Sequence, residues 1–161
     1  KYIFLVQKNE IQKIIDKYNI IEQYSVKKIY PSTININIKP TKIVARISQG
    51  NQLLVGSNGK LIEDKNNSKI VPYIFGEFDS KNFLIFQKKI KQSKFIFNEF
   101  KTLYLFPSGR WDILTNKGIL IKLPSYNFSQ SLNLAYSITR NNYFKNLSLI
   151  DLRVNQNLII K

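Results

Sequence analysis

Turn signals punctuate this chain so closely that long strands have little room to form. Pro31-Ser32, Ser57-Asn58-Gly59, Pro107-Ser108-Gly109 and Asn116-Lys117-Gly118 each sit between β-prone runs, and Pro40 and Pro124 close two more. Proline presets φ for a turn and Asn-Gly tolerates positive φ, so these segments fold back rather than run on. Thr33–Lys39 alternates cleanly, with Ile34, Ile36 and Ile38 on one face and Asn35, Asn37 and Lys39 on the other. Strands are expected at 22–30, 33–39, 43–47, 52–55, 60–62, 94–104, 110–114, 119–123, 147–154 and 158–160.

Three stretches carry helical spacing instead. In 9–21, Ile11, Ile14, Ile15 and Tyr18 form one apolar stripe behind Asn9 as N-cap. In 80–92, Ser80 is the expected cap and Phe83, Phe86 and Ile90 turn inward; in 127–142, Phe128, Leu132, Ala135 and Tyr136 do so. Residues 63–69 read as a polar loop and 71–76 as a short apolar connector. Helices mixed with antiparallel strands, without a strand–helix–strand rhythm, predict an α+β fold.

The chain has neither Cys nor His, which removes thiol nucleophiles, His-based acid–base pairs, Cys/His metal sites and disulfides together. The carboxylate neighbours, Glu63-Asp64 and Glu77 with Asp79, lie in polar loops and read as solvated charge. None of the six glycines builds a phosphate-cradling loop. No enzyme, cofactor or metal site is expected. The net charge of +15 invites a nucleic-acid reading. However, the basic residues are spread along both halves, and the four arginines (Arg46, Arg110, Arg140 and Arg153) lie far apart, whereas base readout leans on Arg forks. A bias to Lys, Ile and Asn fits an AT-rich genome, with solubility and polyanion stickiness as its consequence. At 161 residues and 43% hydrophobic, the chain suits one domain or two small ones. No run of about 18 apolar residues spans a bilayer. The absence of Met, at the start or elsewhere, suggests a piece of a longer protein, with room upstream for a signal peptide or anchor.

Two charged pairs and one terminal segment stand out. Arg110-Trp111-Asp112 and Asp151-Leu152-Arg153 place opposite charges at i and i+2, on one face of a strand, while Trp111 and Leu152 point the other way. The plainer reading is a cross-strand ion-pair ladder over a core built on Trp111 and Leu152; the other is direct ligand contact. Leu158-Ile159-Ile160-Lys161 is short and apolar. At a sheet edge it would offer free N–H and C=O groups to another chain; in the sheet interior, or blunted by Lys161, it would not.

Phe106 to Leu114 (Phe-Pro-Ser-Gly-Arg-Trp-Asp-Ile-Leu), followed by Asn116-Lys117-Gly118 and a strand ending at Leu123-Pro124, resembles the FtsQ/DivIB family of bacterial cell-division proteins. Ile150-Asp151-Leu152-Arg153 is similar to that family's hydrophobic-Asp-Leu-Arg segment, Val71-Pro72 with Gly76 to its connector, and Leu53–Ile62 to its hairpin. Val26-Lys27-Lys28, Tyr30-Pro31-Ser32-Thr33, Ile34-Asn35-Ile36 and Val44-Ala45 look like the end of its POTRA domain. The resemblance implies two parts: 1–46, the C-terminal part of a POTRA domain, and 47–161, a mostly antiparallel β domain with two helices. It also implies the periplasmic portion of a single-pass inner-membrane protein gathered at the division septum. Such a protein would be a scaffold that binds FtsB and FtsL and, through them, bears on septal peptidoglycan synthesis by FtsW and FtsI. The strand-addition contact of the family carries over to Val154, Gln156, Leu158, Ile159 and Ile160. The runner-up is a POTRA-type polypeptide-binding protein of outer-membrane assembly or secretion, and a basic nucleic-acid-binding domain comes third.

Overall fold

The computed structural model describes residues 8–48, 53–63, 70–144, 146–154 and 158–161. Its elements run α1 (Lys8–Ile15), β1 (Ile21–Ile29), β2 (Thr33–Pro40), β3 (Ile43–Ile47), β4 (Leu53–Gly56), β5 (Leu61–Glu63), β6 (Tyr73–Phe75), α2 (Ser80–Lys91), β7 (Phe100–Leu105), β8 (Trp111–Thr115), β9 (Leu120–Lys122), α3 (Phe128–Thr139), β10 (Leu149–Asp151) and β11 (Ile159–Ile160). β1 and β2 pair as a separate antiparallel hairpin. The other strands form one sheet in the order β11-β10-β9-β8-β7-β6-β3-β4-β5. The fold is α+β.

The sheet is held by a row of aliphatic side chains that crosses seven strands in direct register. Ile47, Ile74, Leu103, Ile113, Ile121, Ile150 and Ile160 are successive neighbours from β3 to β11. Five of them, Ile74 to Ile150, are fully buried. Phe86 of α2 stacks on Trp111 at 4.4 Å and meets Phe128 of α3 edge-on at 5.8 Å, so both helices cover the face this row occupies. On the opposite face, at β6, Tyr73 and Phe75 stay half exposed.

Parallel joints occur at β3–β6, β6–β7 and β9–β10. Two strand–helix–strand units therefore exist, β6-α2-β7 and β9-α3-β10, where the sequence showed no such rhythm. Their flanking strands β6, β9 and β10 are three residues long, too short for alternation to register. The first helix stops at Ile15, well short of residue 21, as i−3 bonds from Lys17 and Tyr18 tighten its last turn. Ile11 and Ile15 are buried, while Ile14 and Tyr18, expected on the same stripe, are 57% and 56% exposed. Asn9 lies inside the helix rather than at its cap. Asp79, one residue before the expected Ser80, caps α2 by accepting from Lys81 N and Asn82 N. In α3 the inward position after Ala135 is Ile138, and Tyr136 is only half-buried. A 3-10 turn at Phe97–Glu99 delays β7 to Phe100.

Gly76 explains the spacing of the connector. Its φ is +105°, and a Cβ there would lie 2.0 Å from the Leu105 carbonyl oxygen, so only glycine lets the chain leave β6 against β7.

A polar knot joins the β1–β2 hairpin to the tip of β4–β5. Asn58 Nδ2 donates to the carbonyls of Asn19 and Ile21, and Ser57 Oγ donates to Glu22 at 2.7 Å. Asn19 Nδ2 donates to Leu61 O at 2.9 Å, so the β5 edge of the large sheet is partly occupied by the chain itself. The boundary expected after residue 46 falls inside β3, which pairs wholly with the large sheet.

Candidate functional site

The other edge is β11. Ile159 and Ile160 pair with β10 alone, through Asp151↔Ile159 and Ile150↔Ile160. Leu149 and Lys161 exchange both backbone bonds, Lys161 N to Leu149 O at 3.1 Å and Leu149 N to Lys161 O at 3.0 Å. Ser148 adds its N–H and Oγ to the same Lys161 carbonyl, at 2.7 and 3.2 Å, and pins the strand end.

In an antiparallel ladder, hydrogen-bonded pairs alternate with pairs whose backbone groups turn outward. Leu149–Lys161 and Asp151–Ile159 are of the first kind, so the N–H and C=O groups of Ile160 and Leu158 face away from the sheet. Side chains alternate as well. Ile160 is half-buried and ends the aliphatic row on the helix face; Ile159 is 47% exposed and Leu158 43%.

Behind this edge lies a charged row on the open face. Asp112 of β8 and Asp151 of β10 both sit directly opposite Lys122 of β9. The two charged motifs are coupled across the strands by the attraction of Arg153 for Asp112, without a direct ion pair between them. Each arginine pairs with the aspartate of its own segment, because i and i+2 side chains share a face and are already adjacent. Lys122 is the residue that the motif-based reading missed; its place as the open-face position of a strand ending in Leu-Pro was the available signal.

The two pairs differ in quality. Arg153 forks onto Asp151, with Nη2 to Oδ2 at 2.6 Å and Nε to Oδ1 at 2.9 Å, and its own backbone N–H adds a bond at 3.1 Å. These hydrogen bonds hold the Asp151 carboxyl below the usual carboxylate range against its burial, and they push the Arg153 guanidinium up. Arg110 approaches Asp112 only loosely: its Nη2 hydrogen bond is 3.4 Å long and its Nε lies 3.3 Å from Oδ1 without bond alignment. Burial therefore dominates, and the Asp112 carboxyl is pushed up despite Arg110 and the Leu123 N–H.

Opposite signs follow for one substitution. Asp112 takes up its proton more readily folded than unfolded, so its ionised form weakens the fold at neutral pH and that penalty fades as pH falls towards 3.8. Asp112→Asn should thus melt at or above the parent temperature at pH 7, with the advantage shrinking near pH 4. Asp151 stabilises above its unfolded value and loses that contribution as pH falls below it. Asp151→Asn should melt lower at pH 7, with the gap closing below pH 4. Thermal melts at the two pH values check both, and equal shifts of the same sign would refute the assignment.

Trp111 and Leu152 are buried opposite their charged neighbours. Of the five positions expected at a partner contact, Leu158, Ile159 and Ile160 lie along the sheet edge, the first two exposed and Ile160 half-buried. Val154 is 55% exposed, beyond the end of β10, and Gln156 lies outside the described residues. Among the described residues, no helix is long and apolar enough to cross a membrane and no acidic cluster is placed to hold a metal.

Residues 45–153 match the family model for cell division protein FtsQ/DivIB, C-terminal, and residues 1–39 match the model for the POTRA domain, FtsQ-type. Curated relatives carry the name cell division protein FtsQ. That of Rhizobium radiobacter is 25% identical over 117 residues, covering 71% of this chain and 56% of the relative. That of Agrobacterium fabrum is 25% identical over 117 residues, covering 71% and 37%. That of Rhizobium meliloti is 21% identical over 150 residues, covering 90% and 48%. The chain spans about half the length of the curated relatives it matches.

Proposed function

Because this chain belongs to the FtsQ/DivIB family of cell-division proteins, we propose that it is a non-enzymatic divisome scaffold that captures a partner polypeptide as an added strand on β11. The partners are of the FtsB and FtsL type, with FtsW and FtsI reached through them, and the outcome is control of septal peptidoglycan synthesis. The parent protein would be a single-pass inner-membrane protein with this chain in the periplasm, concentrated at the septum. The division into a POTRA portion and a sheet domain, expected as 1–46 and 47–161, belongs to the same reading with its boundary moved ahead of β3, which pairs with the large sheet.

The observation that carries it is the outward backbone of Leu158 and Ile160 at the β11 edge of the nine-stranded sheet. An added strand would satisfy those groups and present alternate side chains to the aliphatic row and to the charged row. Amide hydrogen exchange tests this with the periplasmic segment of an FtsB-type partner. The Leu158 and Ile160 amides should gain protection on binding, while Ile159 and Lys161, already bonded inward, change little. Protection gained elsewhere, with these two amides unaffected, would remove the proposal.

The ladder alone is a weak handle. Each hydrogen bond contributes roughly 0.5–1.5 kcal/mol net, and association costs about 4–15 kcal/mol in lost freedom. A two-residue strand cannot offset that by backbone bonds, so side chains and flanking segments must supply the remainder.

A further inference from the structure

At the Lys161 end of β11 an open cleft of about 670 Å³ lies between the C-terminal end of α3, residues 141–144 and 146–147, and the residues leading into β9. Its lining includes Lys117, Thr139, Asn141, Asn142, Phe144 and Asn146, and no carboxylate. Arg140 also reaches it, but its guanidinium is paired with Glu99 and packed over the Tyr136 ring. Lys117 is exposed and forms no ion pair among the described residues. Phe144 is 40% exposed. The cleft thus combines amides that can bond a peptide backbone, one apolar platform and one available cation.

Its position ties it to the edge. Leu147 lines the cleft, and the next residue, Ser148, holds the Lys161 carbonyl. A strand added to β11 would lie one spacing beyond it, and the start of β9, where Lys117 and Ile119 sit, is three spacings from that strand, about 15 Å. Four to five extended residues cover roughly that distance.

Resting on the strand-addition reading, we propose that this cleft is a second subsite for the same incoming polypeptide, taking the flank that leaves the edge beside Lys161. The flank would be an extended segment with an apolar side chain for Phe144 and an acidic one for Lys117. The charge argues for this occupant, since Lys117 is exposed in a lining that holds no carboxylate. Continuity with the edge argues for it too, since a short ladder needs flanking contacts.

The test uses the full chain and two peptides from an FtsB-type periplasmic segment. One holds only the residues that add as a strand; the other is extended past the Lys161 end. Calorimetric titration should show the extended peptide binding on the order of ten-fold tighter, the scale of one well-placed side-chain contact. The double variant Lys117→Gln/Phe144→Ser, both sites on the surface, should erase that gain and leave the strand-only peptide unchanged. Equal affinity of the two peptides for the parent chain, or a gain that survives in the double variant, overturns the subsite. If Leu158→Pro leaves the strand-only peptide binding as before, it is the edge reading that fails, whatever the cleft variant does.

Discussion

Trp111→Ala should lower the stability of the sheet domain by about 3–5 kcal/mol, enough to unfold most marginally stable domains near physiological temperature. Trp111 is 3% exposed and stacks on Phe86, which in turn touches Phe97 and Phe128, so its removal leaves a void where β8, α2 and α3 meet. The aliphatic row beside it cannot collapse into that space without breaking register. Trp111→Phe is the informative companion. The indole Nε1 is buried with no hydrogen-bond partner among the described residues, so losing it forfeits packing but no bond. Urea unfolding should show the Ala variant far below the parent and the Phe variant between them, closer to the parent. An Ala variant with the parent's midpoint would mean that the aromatic cluster does not hold the sheet together.

Leu158→Pro should abolish binding of the partner segment while leaving the melting temperature near that of the parent. Its N–H faces outward, so proline removes a donor that only the incoming strand would use, and the ring occupies the space of that strand. Ile159→Pro is the contrast, since its N–H faces β10 and its loss detaches β11 from the sheet. Both variants should lose binding, but only the second should disturb the Leu149 and Asp151 amides in hydrogen exchange. Retained affinity in Leu158→Pro would show that partner capture does not run through this backbone.

Much of this architecture was legible because turn chemistry is local. Asn58-Gly59 and Lys117-Gly118 mark hairpins whose strands pair as expected, and Phe83, Phe86 and Ile90 mark the buried face of α2. The parallel joints were not legible, since they depend on which strands meet after a helix, and a three-residue strand carries almost no period. The first helix was overread because Tyr18 continues the 3.6 spacing, whereas its side chain stays largely exposed and the chain turns after Ile15. At the edge, the apolar residues were visible, but which amides face outward is set by the pairing of Leu149 with Lys161 across the sheet. Lys122 escaped notice because its partners, Asp112 and Asp151, lie ten and twenty-nine positions away in a chain whose lysines are everywhere.

The aliphatic row that ends at Ile160 has a consequence for how a guest chain is read. Consecutive guest residues meet opposite worlds, one continuing the greasy seam and the next beside Ile159 on the face that carries Asp151 and Lys122. Recognition therefore has a reading frame. Swapping one aliphatic for another in the guest should matter little, whereas inserting a single residue inverts every side chain at once and spoils the fit.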